Sequence, residues 1–499
     1  MSDIDNEKGS IHQVEEVAQQ GHVATDRYGN PLVHIDPVAE AKLRRKLDLR
    51  LVPTVAVLYL FCFIDRANIG NARLAGLEKD LKLKGYDYNV LLTSFYLAYV
   101  LFELPCQWLN KKFGPGRMIP ILSFMFGLFS FVMAFVNSFG AAVAVRFLLG
   151  IAEGGVFPGI AFYLSRWYRK DELAFRLSLY IVMAPLAGAF GGLLASGILK
   201  IDSIGSIHSW KMIFWVEGLV TMGLAIISWF TLTDNPESAR WLSPEEKALC
   251  AARVKSENVG QAVVIDEMHN KSILHGVFNP TTLVVSLIFL LDNITVQGLG
   301  FFLPTVIKTI YPKKSTVALQ LRTVPPYIVG AFFTVLVPYL SWKHQRRGLY
   351  MVLSAPFMMT GYAVFLGTTN PQARYAASFI TAIGAFSFGA LCTGWGAANS
   401  SSDTERAASI GTIVFAGNLG GLVATWVFLP KDAPDYIPAN GANLGTSTGI
   451  LILAAGLWAW QVRENRQKDR GRDDHYLVGK TEAELAVLGQ RHPGFRYRV

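Results

Sequence analysis

The sequence predicts an all-α membrane protein, with twelve transmembrane helices in two six-helix halves. Three observations predict it. Of the 499 residues, 52% are hydrophobic and 17% charged, whereas soluble domains carry about a quarter of their residues charged, and the mean hydropathy is +0.33. The charges gather in three polar regions, residues 1–50, 233–279 and 463–499. Between these regions run twelve apolar stretches, each near the roughly 20 residues a helix needs to cross a bilayer. Lipid leaves no backbone polar group a partner, so the stretches are expected to be helical. The alternating segments of a strand barrel are not seen. The first half is expected at 51–232 and the second at 280–462, with a cytoplasmic middle segment at 233–279 between them.

The elements follow in order. Span 1 (about 51–70) is preceded by Arg44, Arg45, Lys46 and Arg50, and carries Tyr59, Asp65 and Arg66. Span 2 (88–109) carries Tyr96, Tyr99 and Glu103 and is followed by Lys111, Lys112 and Arg117. Span 3 (118–137) is followed by almost no basic residue. Span 4 (140–166) carries Arg146 and Glu153 and leads into Arg166, Arg169 and Lys170. Span 5 (175–199) is rich in glycine: Gly188, Gly191, Gly192 and Gly197. Span 6 (210–232) carries Glu217, near its end as the stretch is drawn. Span 7 (280–308) carries the polar group Asp292, Asn293 and Gln297. Span 8 (319–341) runs into Lys343, Arg346 and Arg347, and span 9 (348–368) is again followed by almost nothing basic. Span 10 (373–399) holds Trp395 and Asn399. Span 11 (406–429) holds Gly417, Asn418, Gly420 and Gly421, and span 12 (444–462) completes the second half.

Basic residues after spans 2, 4 and 8 place those ends in the cytoplasm, and with them both termini. The formal charge of +9 is therefore a topology signal, and nucleic acid is not an expected partner. Basic turns after spans 2 and 8 repeat between the halves, as in transporters built from repeats with a midplane site. Four scattered cysteines (Cys62, Cys106, Cys250 and Cys392) form neither a disulfide framework nor a zinc pattern. No apolar core marks a cleavable leader in the first 40 residues, so span 1 is expected to direct insertion.

Ionisable groups at membrane depth cost roughly 2.5–3.5 kcal/mol each and mark functional interiors. Arg146 and Glu153 are seven apart, nearly two turns, so they share one face with Gly150 and Gly154 close by. An arginine there can take a substrate carboxylate, and a carboxylate beside a fixed cation can load and release a proton. A static ion pair between helices is the competing reading. Aromatic walls with a few donors suit a small organic anion, which brings in Tyr99, Trp395, Asn399 and Asn418.

Several motifs resemble a known family. Arg146-x3-Gly150-x3-Gly154-x3-Pro158 resembles the fourth-helix motif of the major facilitator superfamily. The segments Phe63-Ile64-Asp65-Arg66-Ala67-Asn68-Ile69-Gly70 and Arg146 to Gly155, with Trp210, Phe214, Glu217 and Gly218 in span 6, resemble its anion:cation symporter family. The segments Phe302-Leu303-Pro304-Thr305, Gly417-Asn418-Leu419-Gly420-Gly421 and Asp432-Ala433-Pro434-Asp435-Tyr436 are similar to the fungal allantoate permease branch, which includes nicotinate, pantothenate and biotin carriers. The resemblance covers about residues 40–465. It implies a proton-coupled symporter, with Asp65 and Glu153 handling the proton and Arg66, Tyr99, Arg146, Trp395 and Asn399 the substrate. Two departures stand out: Lys111 replaces the superfamily's usual Asp after span 2, and span 10 ends Ala397-Ala398-Asn399-Ser400 where two Asn are usual.

The expected function is thus uptake of a small organic anion, such as a carboxylate or vitamin-like acid, with protons. The chain is expected to act as a monomer in the plasma membrane, without cofactor or metal. Export of an anionic metabolite and a nutrient receptor on the same fold stay open as alternatives. No nucleophile–base constellation suggests an enzyme, and no Walker A pattern suggests ATP drive.

Overall fold

The computed structural model describes residues 36–499 apart from 169–175, 177, 178, 180, 202, 204, 206, 257–269, 402, 473–489 and 491–494. Several expected features lie outside the described residues. They are the first 35 residues of the N-terminal tail, Arg169, Lys170, the opening of span 5, part of the middle segment and most of the C-terminal tail.

The first half is α1 (Pro37–Leu74), α2 (Asp87–Phe113), α3 (Pro115–Met133), α4 (Phe139–Leu164), α5 (Met183–Ile198) and α6 (Trp210–Thr231). The second is α7 (Pro280–Ile310), α8 (Thr316–His344), α9 (Arg347–Gly367), α10 (Pro371–Ala398), α11 (Asp403–Ala424) and α12 (Ile437–Asp469). Among the described residues, ten helices are long and apolar enough to cross a membrane, or eleven with α2 as one span bent by 50° at Pro105. A proline lacks the N–H that would continue the ladder and crowds the preceding turn, which accounts for the bend. The shorter α5 stands where the fifth span is expected.

Local chemistry sets the helix starts. The side chains of Asp36, Ser138, Asn279, Ser315 and Asn370 accept backbone N–H groups at the starts of α1, α4, α7, α8 and α10, and proline opens α1, α7 and α10. The first helix begins well before its apolar stretch. Residues 37–50 are polar on average, yet Leu43, Leu47 and Leu51 are buried at four-residue spacing. They form a stripe on the part of α1 against which the middle helix Pro244–Ser256 packs. Arg253 pairs with Glu40 at 2.9 Å and Lys46 with Glu246 at 2.6 Å. The Lys46 ammonium holds the Glu246 carboxyl below the usual carboxylate range. The second middle helix, Asn270–Val277, packs instead on α11.

The helix contacts repeat between the halves. In the first half α1 packs on α5 and α6, α3 on α4 and α6, and α2 on α4. In the second, α7 packs on α11 and α12, α9 on α10 and α12, and α8 on α10. The halves meet through α1 with α7, α2 with α11, and α5 with α8, a set that maps onto itself when the halves are exchanged. Both α1 and α12 have their outer ends at one face, here called the terminal face. The seam contacts gather toward the opposite, far face. There Asn89 donates to the Thr425 carbonyl at 2.5 Å and the Thr93 and Thr425 hydroxyls lie 3.0 Å apart.

Candidate functional site

Five ionisable side chains inside the first half, Asp65, Arg66, Arg146, Glu153 and Glu217, are each at most 5% exposed. Asp65 and Arg66 are consecutive on α1, so they point to different sides of that helix. Arg66 Nε donates to Glu153 Oε2 at 2.6 Å. Arg146 Nη1 lies 3.9 Å from Asp65 Oδ2. Two ion pairs therefore cross between α1 and α4. Arg146 and Glu153 do not pair with each other along their shared face: their spacing of nearly two turns is too wide, and α1 offers each a nearer partner.

Neighbours complete the cluster. Ser130 of α3 donates to Asp65 Oδ1 at 2.6 Å, and Asn68 donates to Glu217 Oε2 at 2.6 Å. Cys62, one turn before Arg66, donates to Glu153 Oε2 at 3.2 Å. Glu217 reads in the sequence as close to a helix end, yet it lies seven residues inside α6 and is fully buried. Ser130 and Cys62 carry no sequence signal of this kind, because small polar residues are common in membrane helices, and Asn68 stands out only as part of the first-helix motif.

The central cavity lies between the halves, and its empty space, open solvent at the mouth included, is about 740 Å³. Arg66, Phe63 and Tyr99 line it from the first half, and Asp292, Asn293, Gln297 and Asn418 from the second. The Arg66 guanidinium sits over the Tyr99 ring at 4.6 Å and the Phe63 ring at 4.7 Å. Arg66 is thus the one member of the five-residue cluster that reaches the cavity wall among the described residues. Glu103 accepts from Asn418 at 3.0 Å across the seam. Asp292 is 1% exposed, and among the described residues no basic side chain pairs with it.

The structure brings together Asp65, Arg66, Tyr99, Arg146 and Glu153, but Trp395 and Asn399 stand apart. Trp395 is fully buried in the core of the second half, its Nε1 donating to Gln461 and to the Arg498 carbonyl. Asn399 ends α10 at the terminal face and also contacts Arg498. A tryptophan or amide in an apolar span has the same sequence signature whether it faces a cavity or a neighbouring helix.

The paired six-helix halves, the buried charges and the cavity between them define a multi-pass membrane transporter. The chain belongs to the Major Facilitator Superfamily, whose family description matches residues 55–425. It is 32% identical over 471 residues to an uncharacterized transporter of Schizosaccharomyces pombe, covering 93% of this chain and 91% of that protein. It is 31% identical over 459 residues to the high-affinity nicotinic acid transporter of Saccharomyces cerevisiae, covering 92% and 85%. A bacterial homolog of the human lysosomal transporter Spinster, solved inward-facing and unoccupied, shares the fold with a TM-score of 0.61 at 15% identity, covering 85% of this chain and 97% of that one.

Proposed function

We propose that this transporter is a proton-coupled symporter that takes up a small organic anion by alternating access. The observation that carries the reading is the double role of Arg66, which pairs with buried Glu153 and also faces the cavity. A substrate carboxylate reaching Arg66 competes with Glu153 for the guanidinium, a group suited to carboxylates. A buried carboxylate that loses its cation is costly to keep charged, so Glu153 takes a proton as the anion binds. Arg146 and Asp65 hold the other pair and keep α1 and α4 in register. Tyr99 and Phe63 form the aromatic wall beside Arg66, and Asp292 offers a second polar end opposite. The likeness to a nicotinic acid transporter supports a small acid as substrate. On this reading the terminal face is cytoplasmic, the membrane is the plasma membrane and the working unit is one chain.

Radiolabelled uptake of a panel of small carboxylates by carrier-deficient yeast expressing the protein tests the proposal. Uptake should rise as the outside pH falls and collapse with a protonophore. Glu153→Gln keeps the shape of the side chain and an acceptor oxygen for Arg66. It should therefore fold and reach the membrane but lose pH-dependent uptake. Uptake in that variant with a normal pH dependence would falsify the proton role, and release of a cellular anion with no uptake would point to export.

A further inference from the structure

The segment Phe495–Val499 lies across the terminal face of the second half, held mainly through its backbone. Arg498 N–H donates to Asn399 Oδ1 at 2.8 Å, and Asn399 Nδ2 returns a bond to the Arg498 carbonyl at 3.2 Å. One residue earlier, Tyr497 N–H donates to Asn465 Oδ1 at 2.8 Å, and Asn465 Nδ2 donates to the Tyr497 carbonyl at 2.9 Å. Two asparagine side chains thus each read both backbone groups of one peptide residue. The Arg347 N–H donates to the Val499 carbonyl at 3.0 Å. Side chains add to the grip: Tyr497 packs on Trp460 at 5.1 Å and Arg496 pairs with Asp469 at 2.9 Å.

The same residues tie the segment to cavity helices. The Asn399 carbonyl accepts from Asn279 at 3.4 Å, and Asn279 caps α7. Gln461 of α12 accepts from Trp395 at 3.1 Å and donates to Thr281, in the first turn of α7, at 3.1 Å. The beginning of α7, the end of α10 and α12 therefore share one hydrogen-bond network with the peptide. All of them belong to the second half, so the contact does not bolt the halves together.

We propose that this shelf, built from Asn399, Trp395, Asn465 and Arg347, is a binding site for an extended peptide. Its occupant is the chain's own Phe495–Val499, which braces the terminal ends of α7, α10 and α12 as one body. Backbone recognition explains why asparagine, with a donor and an acceptor on one amide, stands at both contact points.

Hydrogen exchange read by mass spectrometry on the full chain in neutral detergent micelles tests this. The Tyr497 and Arg498 amides should exchange at least tenfold more slowly than in the free peptide Phe-Arg-Tyr-Arg-Val. The double variant Asn399→Ala/Asn465→Ala should exchange there at the free rate. In a chain shortened to end at residue 494, the first turn of α7 and the last of α10 should exchange at least threefold faster, and millimolar pentapeptide should reverse the change. Exchange at the free rate in the intact chain overturns the site, and unchanged helix ends in the shortened chain overturn the brace. If the shortened chain exchanges faster throughout, Arg498→Pro, which removes the N–H that Asn399 accepts, repeats the comparison in a chain of full length. Local acceleration at the two helix ends then supports the brace, and its absence overturns it.

Discussion

Glu217 is the residue whose surroundings say most about charge in the cluster. Asp65, Glu153 and Glu217 supply three carboxylates against the guanidinium groups of Arg66 and Arg146. With every group ionised, one negative charge is left over, and Glu217 is the acid whose bonded partner is a neutral amide. Burying an unpaired charge costs far more than burying a neutral, hydrogen-bonded group. Glu217→Gln, which keeps an oxygen for Asn68 to donate to, should therefore leave the melting temperature in detergent unchanged or raise it. Glu217→Ala strands the Asn68 amide and should cost about 1–3 kcal/mol. A melting temperature for Glu217→Gln as low as that of Glu217→Ala would count against the charge argument. The four charges Asp65, Arg66, Arg146 and Glu153 were legible in the sequence because each interrupts an apolar run. Their pairing was not, because a cross-helix partner depends on how α1 is turned against α4, and no local spacing encodes that.

Among the elements, α4 packs closely on α2. An added Cβ at Gly150 would strike the Phe95 carbonyl oxygen of α2, and one at Gly154 would lie 3.0 Å from the Tyr99 carbonyl oxygen. Backbone cannot swing aside as a side chain can, so glycine lets the two helices touch. Gly150→Ala should destabilise the protein by about 1–3 kcal/mol despite alanine's better helix propensity. Gly140→Ala, on the same helix with nothing within 4 Å of an added Cβ, should be neutral or stabilising. Equal melting temperatures for the two variants would refute the packing account. The glycine runs announced close approach in the sequence, and the spans announced the helices. What they did not announce is the long start of α1, whose leucine stripe is hidden among basic residues until the middle helix is seen against it.

At the scale of the whole molecule, the seam is lined with small residues where the halves touch. An added Cβ at Gly70 would lie 2.7 Å from the Phe301 carbonyl oxygen, and one at Gly192 would lie 2.8 Å from Thr323 Oγ1. Both contacts lie toward the far face, so a bulky side chain there acts as a wedge. Gly192→Leu should hold the far face open and lower uptake at least tenfold. Thr425→Cys in that background should then react with an impermeant maleimide added from the far side, whereas Thr425→Cys alone should resist it. Protection in both backgrounds would show that the seam closes despite the wedge. The repeat of contacts between halves was only faintly legible, since the sequence shares little more than a basic turn; packing geometry carries the likeness that residue identity does not. The middle segment gains a meaning from the same arrangement. Its helix Pro244–Ser256 sits on α1 and its helix Asn270–Val277 on α11, so each moves with a different half. The distance between two dyes on these helices is therefore a gauge of how widely the terminal face stands open, read from outside the bilayer without a label in the cavity.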